Sequence, residues 1–276
     1  MHAGLDEHPL PIITRWALQA LGQVEGPRVR RPRDPVAAWI LRRYPDLAPT
    51  FTVAPVLAMI RSRTSLVDRM ILDDLHRSQH RAQDVHYHRL GGGLDGRFHR
   101  LFRNHDLKLS THREVDEPSV VEAKKSLMDE STFAASWARV RIEGSDIIRW
   151  TVPDAQGDVI VNLEGAATRL GLRLLVRVLA QIRRDCPRAR VIVDFPGFLT
   201  RTGSGHLPPP TAPSRLRWEG LHETGAGKIT NGHLRQMGWA VDEDIWIASR
   251  PELRAPSGVS ICDGVDGIRV LRLTAC

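Results

Sequence analysis

The residues best suited to chemistry crowd into positions 73 to 113. Asp73, His76 and His80 recur at helical spacing, so two imidazoles and a carboxylate share one helix face and could hold a divalent metal with coordination positions left open. Just downstream, Asp84, His86 and His88 form D-x-H-x-H, and alternate residues of a strand point to one side, so His86 and His88 could chelate together. The expectation is a magnesium, manganese or zinc site built from Asp73, His76, His80, His86 and His88. A second cluster, Arg89, Arg97, Arg100, Arg103, Lys108 and Arg113, is interleaved with Phe98 and Phe102. Cations beside aromatic rings suit a single nucleic-acid strand, with phosphates paired and bases stacked. The other placement is an amphipathic helix whose Phe98 and Phe102 face the core.

Three short patterns resemble nucleic-acid enzymes. His86-Tyr87-His88 resembles the His-hydrophobic-His core of rolling-circle relaxases and replication initiators, which implies a bound metal and a tyrosine nucleophile; Tyr44 is the tyrosine outside the motif. Glu122-Ala123-Lys124 is similar to the E-x-K of metal-dependent restriction-type nucleases, with Asp106 or Asp116 as the upstream carboxylate. The order of elements from Trp137 to Asp194 resembles the first part of the ribonuclease H-like fold. That likeness implies acidic positions at Glu143 and Asp194, although Gly171 stands where that family carries a catalytic Glu.

Charge points the same way. The chain of 276 residues carries a net +7, and residues 1 to 113 hold 18 Lys and Arg against 11 Asp and Glu, together with nine of the twelve histidines. The rest is neutral. A one-sided basic field attracts polyanions, while the dominance of Arg, with only four Lys, also fits codon bias. Cys186, Cys262 and Cys276 form no C-x-x-C pair, so neither a disulfide framework nor a cysteine zinc site is expected. No segment reads as a membrane span and MHAGLDEHPLPIITR lacks a signal-peptide pattern, so a soluble, cytoplasmic protein is expected.

The elements that must position these residues follow from periodicity and punctuation. Helices are predicted over 12–23, over 35–43 with Asp34 as N-cap, over 52–61 and over 65–81, a small bundle. Gly91, Gly92, Gly93 and Gly96 then mark a flexible loop or a backbone approach point, and no dinucleotide fingerprint is read there. A capping box of Ser119 and Glu122 predicts a helix after Pro118. Strands are predicted over 137–142, 147–152 and 158–163, the last two as a hairpin, followed by a helix over 168–184 and a strand over 190–194, a parallel βαβ unit. The proline-rich segment 207–214 reads as a connection. A short helix near 231–237, a strand around 245–248 and a closing hairpin of 260–262 with 268–273 complete the chain. Gly225-Ala226-Gly227-Lys228 lacks the glycine and the Ser or Thr of a phosphate loop, and Thr202 to His206 reads as a turn.

The predicted fold class is mixed α/β, or α+β: a helical N-terminal part followed by a mixed sheet containing a βαβ unit. The expected division is a basic, His-rich helical region over 1–115, an α/β core over 116–206, and a Pro-rich connection with C-terminal strands over 207–276. The function expected from these signals is nucleic-acid binding, with metal-dependent phosphodiester cleavage as an added activity. The alternatives are a metal-dependent enzyme on a small anionic substrate and a non-catalytic interaction subunit with a protein partner.

Overall fold

The computed structural model describes residues 12–22, 34–48, 54–102, 109–152, 156–196, 229–247 and 268–275, and every structural statement below concerns these. Helices α1 (Ile12–Gly22) and α2 (Pro35–Arg43) come first. The Asp34 carboxylate accepts the Val36 and Ala37 N–H groups at 2.9 and 3.0 Å, and Pro35 fills the first turn, where no N–H is needed. After a 3-10 turn over Pro45–Leu47, α3 runs unbroken over Ala54–His80. Two helices were expected here; Ser62, Arg63 and Thr64 include no Gly or Pro, so nothing interrupts the backbone bonds.

Strand β1 (Val85–Leu90) leads to α4 (Arg97–Phe102), β2 (Thr111–Asp116), α5 (Pro118–Asp129), α6 (Ala134–Trp137) and β3 (Arg141–Gly144). The Ser119 capping box does not form: Pro118 already occupies the first turn, so Glu117 is the cap residue, with no side-chain bond. Then come β4 (Asp158–Leu163), α7 (Ala166–Asp185), β5 (Arg190–Pro196), α8 (Asn231–Gln236), β6 (Trp239–Trp246) and β7 (Ile268–Ala275). The expected strand over 147–152 is absent. Asp146 accepts the Ile148 N–H on its side chain and the Arg149 and Trp150 N–H groups on its carbonyl, which turns the chain and buries Ile147 and Trp150.

The strands form one sheet in the order β3-β2-β1-β4-β5-β7-β6. The first five are parallel, and β7 is antiparallel to β5 and to β6. The mixed α/β class and the parallel β4-α7-β5 unit are therefore as the sequence predicted. No hairpin joins β4 to the segment before it, because β4 pairs with β1 and β5 instead. Of the closing hairpin, residues 260–262 lie outside the described residues, and β7 bonds to β5 and β6.

Helices cover both faces. Leu172, Leu175 and Leu179 of α7 pack on Val159, Val161, Val191 and Val193, while Leu66, Met70, Ile71 and Leu75 of α3 pack on Tyr87, Ile160 and Ile192. Each such aliphatic side chain contributes about 1.5–3 kcal/mol on burial. A third cluster joins α1, α2 and α5 through Leu18, Leu21, Ile40, Val120 and Leu127. Because the chain winds outward from β1 to β3 and then returns to β4 on the other side of β1, the strand order reverses between β1 and β4. In open α/β sheets such a reversal leaves a crevice at the carboxyl ends of the strands.

Candidate ligand cleft at the carboxyl ends of β1 and β4

The crevice begins with a glycine loop. Gly91 and Gly93 adopt φ of 78° and 57°, left-handed values that a side chain would strain. A β-carbon on Gly96 would run into the Val36 side chain and sit 2.8 Å from an Asp34 carboxylate oxygen, so only glycine lets the loop lie against the start of α2. Asp34 thus joins two elements, capping α2 with one oxygen and accepting the Gly96 N–H on the other at 2.7 Å.

Neighbouring strands and helices hold the loop in place. Asp116, the last residue of β2, accepts the Gly93 N–H at 2.7 Å and the Glu117 N–H at 2.8 Å. Lys124, buried on α5, donates to the carbonyls of Gly93 and Asp95 at 3.0 and 3.2 Å, pairs with Glu114, and lies 4.5 Å from the Trp137 ring centre. Arg89, one residue before the end of β1, pairs with Asp95 through both terminal nitrogens.

Behind the loop the pairs merge into a buried network. Arg97 joins Asp68 and Glu164; Arg100 joins Asp68 and Asp34; Arg63 joins Glu164 and Asp194. Burial alone would raise the Glu164 and Glu114 carboxyls. The neighbouring groups outweigh it, the Arg97 and Arg63 charges for Glu164 and the Lys124 charge, with the His112 ring 3.4 Å away, for Glu114, and each carboxyl is held at about 2. For Asp194 burial wins over Arg63 and pushes the carboxyl up.

A narrow cleft opens between the loop, α3 and the start of α7. Arg63, Arg89, Asp95 and Glu164 supply its polar wall, Leu94, Ile147 and Leu170 its apolar wall, and Thr14, Ala17 and Leu21 of α1 overhang it.

The residues singled out in the sequence fall elsewhere or are already engaged. Asp73, His76 and His80 are exposed on α3. Val85 and Tyr87 face α3, so the alternate residues His86 and His88 point to the opposite face of the sheet. There His86 bonds to Thr111 and the Gln156 carbonyl, and His88 is buried beside Trp150. The expected magnesium, manganese or zinc centre is therefore corrected: the sheet separates the two histidine pairs, and among the described residues no three His, Cys, Asp or Glu side chains group to hold a metal. Tyr44 bonds to Glu130 at 2.5 Å. Glu143 on β3 and Asp194 on β5 are four strand steps apart, about 19 Å, too far to share a metal.

The expectation of nucleic-acid binding and cleavage is corrected as well. Arg89, Arg97 and Arg100 are buried and paired to carboxylates, so they present no charge to a phosphate backbone. Arg113 is mostly covered and lies 3.8 Å from Glu143, while Arg103 and Lys108 lie outside the described residues. Lys124 of the E-x-K motif grips the glycine loop from a helix. Phe98 packs against the core, as the amphipathic-helix placement had it.

Gly91, Gly93 and Gly96 do match G-x-G-x-x-G between a strand and a helix, with Asp116 about 20 residues beyond Gly96 at the end of the next strand. That spacing was the signal available in the sequence. It has physical content only once β1 and β2 are seen to be adjacent parallel strands.

No family model and no curated protein matches the chain. Among solved structures it is similar to the pyocyanin biosynthetic protein PhzM, at 20% identity and a TM-score of 0.47, over 87% of this chain and 61% of that one. It is similar to the glycopeptide N-methyltransferase MtfA complexed with S-adenosyl-L-homocysteine, at 13% and 0.45, over 89% and 100%. It is also similar to the methyltransferase domain of bacterial CtHen1, at 14% and 0.45, over 76% and 98%. The chain thus spans about three-fifths of the length of PhzM. At these identities and TM-scores no residue role passes from those proteins to this chain. Among the described residues no helix is long and apolar enough to cross a membrane.

Proposed function

We propose that the chain binds a phosphate-free nucleoside cofactor, S-adenosylmethionine, in the cleft at the carboxyl ends of β1 and β4, and that it is a methyl-transfer enzyme. The observation that carries this reading is the meeting of the Gly91–Gly96 loop with Asp116 at the point where strand order reverses. A loop without side chains at 91–93 lets a ligand reach the backbone. Asp116 at the end of β2 fixes that loop from beneath, its two oxygens accepting the Gly93 and Glu117 N–H groups, and Leu94, Ile147 and Leu170 offer apolar surface to a base.

Asp95 argues for a nucleoside without phosphate. Its carboxylate sits at the amino end of α4 and accepts the Arg97 N–H at 3.1 Å, where the pyrophosphate of a dinucleotide would otherwise lie. That carboxylate takes up a backbone N–H at the helix start that a phosphate would need, which favours a ligand without phosphate. S-adenosylmethionine, the parent of the ligand bound to MtfA, has a ribose, no phosphate and a cationic sulfonium. When bound it supplies an electrophilic methyl group. Glu164 already accepts from Arg63, Thr64 and Arg97, and Asp95 from Arg89 and Arg97, so these two carboxylates hold the cleft in shape. The chain's own contribution is to bind, orient and exclude water.

Calorimetric titration of the full chain with S-adenosylhomocysteine and with NAD tests the reading. The expected result is binding of the first at least about tenfold tighter than the second. A preference for NAD, or no binding of either, would overturn it.

A further inference from the structure

Helix α7 carries a cationic ridge outside the cleft. Beyond the break at Gly171, whose φ of 69° and ψ of 164° interrupt the helix, Arg173, Arg177 and Arg184 follow at i, i+4 and i+11. At 3.6 residues per turn they lie within about 40° of one another along about 16 Å of helix. All three are exposed, as is Ala180 in the gap between the second and the third, so the guanidinium groups stand over a low floor. Half-buried Leu174 flanks them and is not among the side chains packed into the core beneath. Gln181 donates to the Trp150 carbonyl at 2.6 Å, which brings exposed Arg149 alongside the helix.

These charges are not balanced from within. Arg63, Arg89, Arg97 and Arg100 each meet a carboxylate, whereas Arg173 and Arg177 have none within ion-pair distance among the described residues. From Ala166 to Arg184 the helix holds no Asp or Glu. The acids of the two elements are Asp185, paired with Arg184 at 3.2 Å, and Asp146, which accepts the Ile148 N–H. Nor does the arrangement stabilise α7. Like charges four residues apart repel, so Arg173 and Arg177 weaken the helix that carries them. Arg173 also stands in the first turn after the break, where the helix dipole disfavours a cation. A solvated helix face gains by mixing signs; a row of one sign calls for an anion from outside.

We propose that the α7 ridge docks an acidic amphipathic helix of a protein partner, with carboxylates along one face meeting Arg173, Arg177 and Arg184 and an apolar side chain meeting Leu174. A second helix repeats its side chains with the same 3.6-residue period, so it can follow the ridge in register and set an apolar residue beside its acids, which a phosphate backbone does not offer. A second copy of this chain docking through the same face is excluded by charge, because two ridges would bring six arginines together. Ala166 and Leu170, on the turn before the break, line the cleft, so the ridge starts next to the cleft without entering it.

Fluorescence anisotropy of two synthetic helical peptides of one composition tests this, one with its glutamates along a single face beside a leucine, the other with them scattered around the helix. The full chain should bind the first about tenfold or more tighter at low salt, the preference should fall as salt rises, and Arg173→Gln combined with Arg177→Gln should bring the ratio close to one. That double variant should unfold at the wild-type temperature or above it, because it removes a repulsion. A lower midpoint would mean that the two arginines serve the fold, and would overturn the docking role. Equal binding of the two peptides, or binding of neither, would overturn the helical partner. Binding of oligothymidylate more tightly than of the first peptide, lost in the double variant, would overturn it in favour of a polynucleotide.

Discussion

Arg89 and Asp95 meet end to end, both terminal nitrogens of the guanidinium on both oxygens of the carboxylate, and so clamp the two ends of the glycine loop. Each is nearly covered, at 5% and 6% exposure. A fork-to-fork pair of this kind fixes orientation as well as distance, which is what a loop with two left-handed glycines needs if it is to present one backbone shape to a ligand.

Removing one partner should therefore cost more than the pair itself is worth. Asp95→Ala leaves the Arg89 charge buried with only Glu114 nearby, at 3.8 Å, and is expected to destabilise the fold by about 3–5 kcal/mol. Arg89→Met combined with Asp95→Leu should recover much of that loss. Urea unfolding of the three proteins checks this; a single variant as stable as the wild type would show that the pair does not hold the loop.

His88 should make the fold acid-sensitive. Burial, reinforced by the nearby Arg113, lowers its imidazole to about 3 from an ordinary 6.5. The folded state therefore keeps His88 neutral while the unfolded chain binds a proton below 6.5. Stability is fully present above that pH and falls as pH drops from 6.5 toward 3, by at most about 1.4 kcal/mol per unit from this residue. Comparing unfolding midpoints at pH 7.5 and 5.5, the wild type should lose stability and His88→Phe should lose distinctly less. Equal slopes would remove His88 as the cause.

Gly96 and Gly232 offer a contrast in packing. A methyl at Gly96 would collide with Val36, whereas at Gly232 it would meet only the Thr230 hydroxyl at 3.5 Å. Gly96→Ala is expected to cost about 1–3 kcal/mol through overpacking. Gly232→Ala, on exposed α8, should be neutral or slightly stabilising. Thermal unfolding of both variants decides it, and a silent Gly96→Ala would mean the loop is free to move away from α2.

Local signals in the sequence were legible where local chemistry settles the structure. Asp34 followed by Pro35 gave α2 to the residue, and the apolar spacing of Leu172, Leu175 and Leu179 placed α7 inside a parallel unit. The site was not legible because its partners are remote. Arg63 meets Glu164 and Asp194 across 101 and 131 residues, and Arg97 meets Glu164 across 67. Seen alone, the arginines of the first 113 residues look like an exposed basic surface; the acids that neutralise several of them come from the far half of the chain. His86 and His88 misled for the same reason. Their spacing is that of a chelating pair, but β1 turned out to be a central strand, with one histidine bonded to its neighbours and the other packed under Trp150.

The central claim, a nucleoside site at the carboxyl ends of β1 and β4, is tested most directly by amide hydrogen exchange with and without S-adenosylhomocysteine, in the wild type and in Asp116→Asn. The account predicts slowed exchange over residues 91–96 and 116–117 in the wild type, with affinity reduced about tenfold or more by Asp116→Asn through the weakened acceptor of the Gly93 N–H. Protection confined to other segments, or binding that ignores the Asp116 substitution, would contradict it.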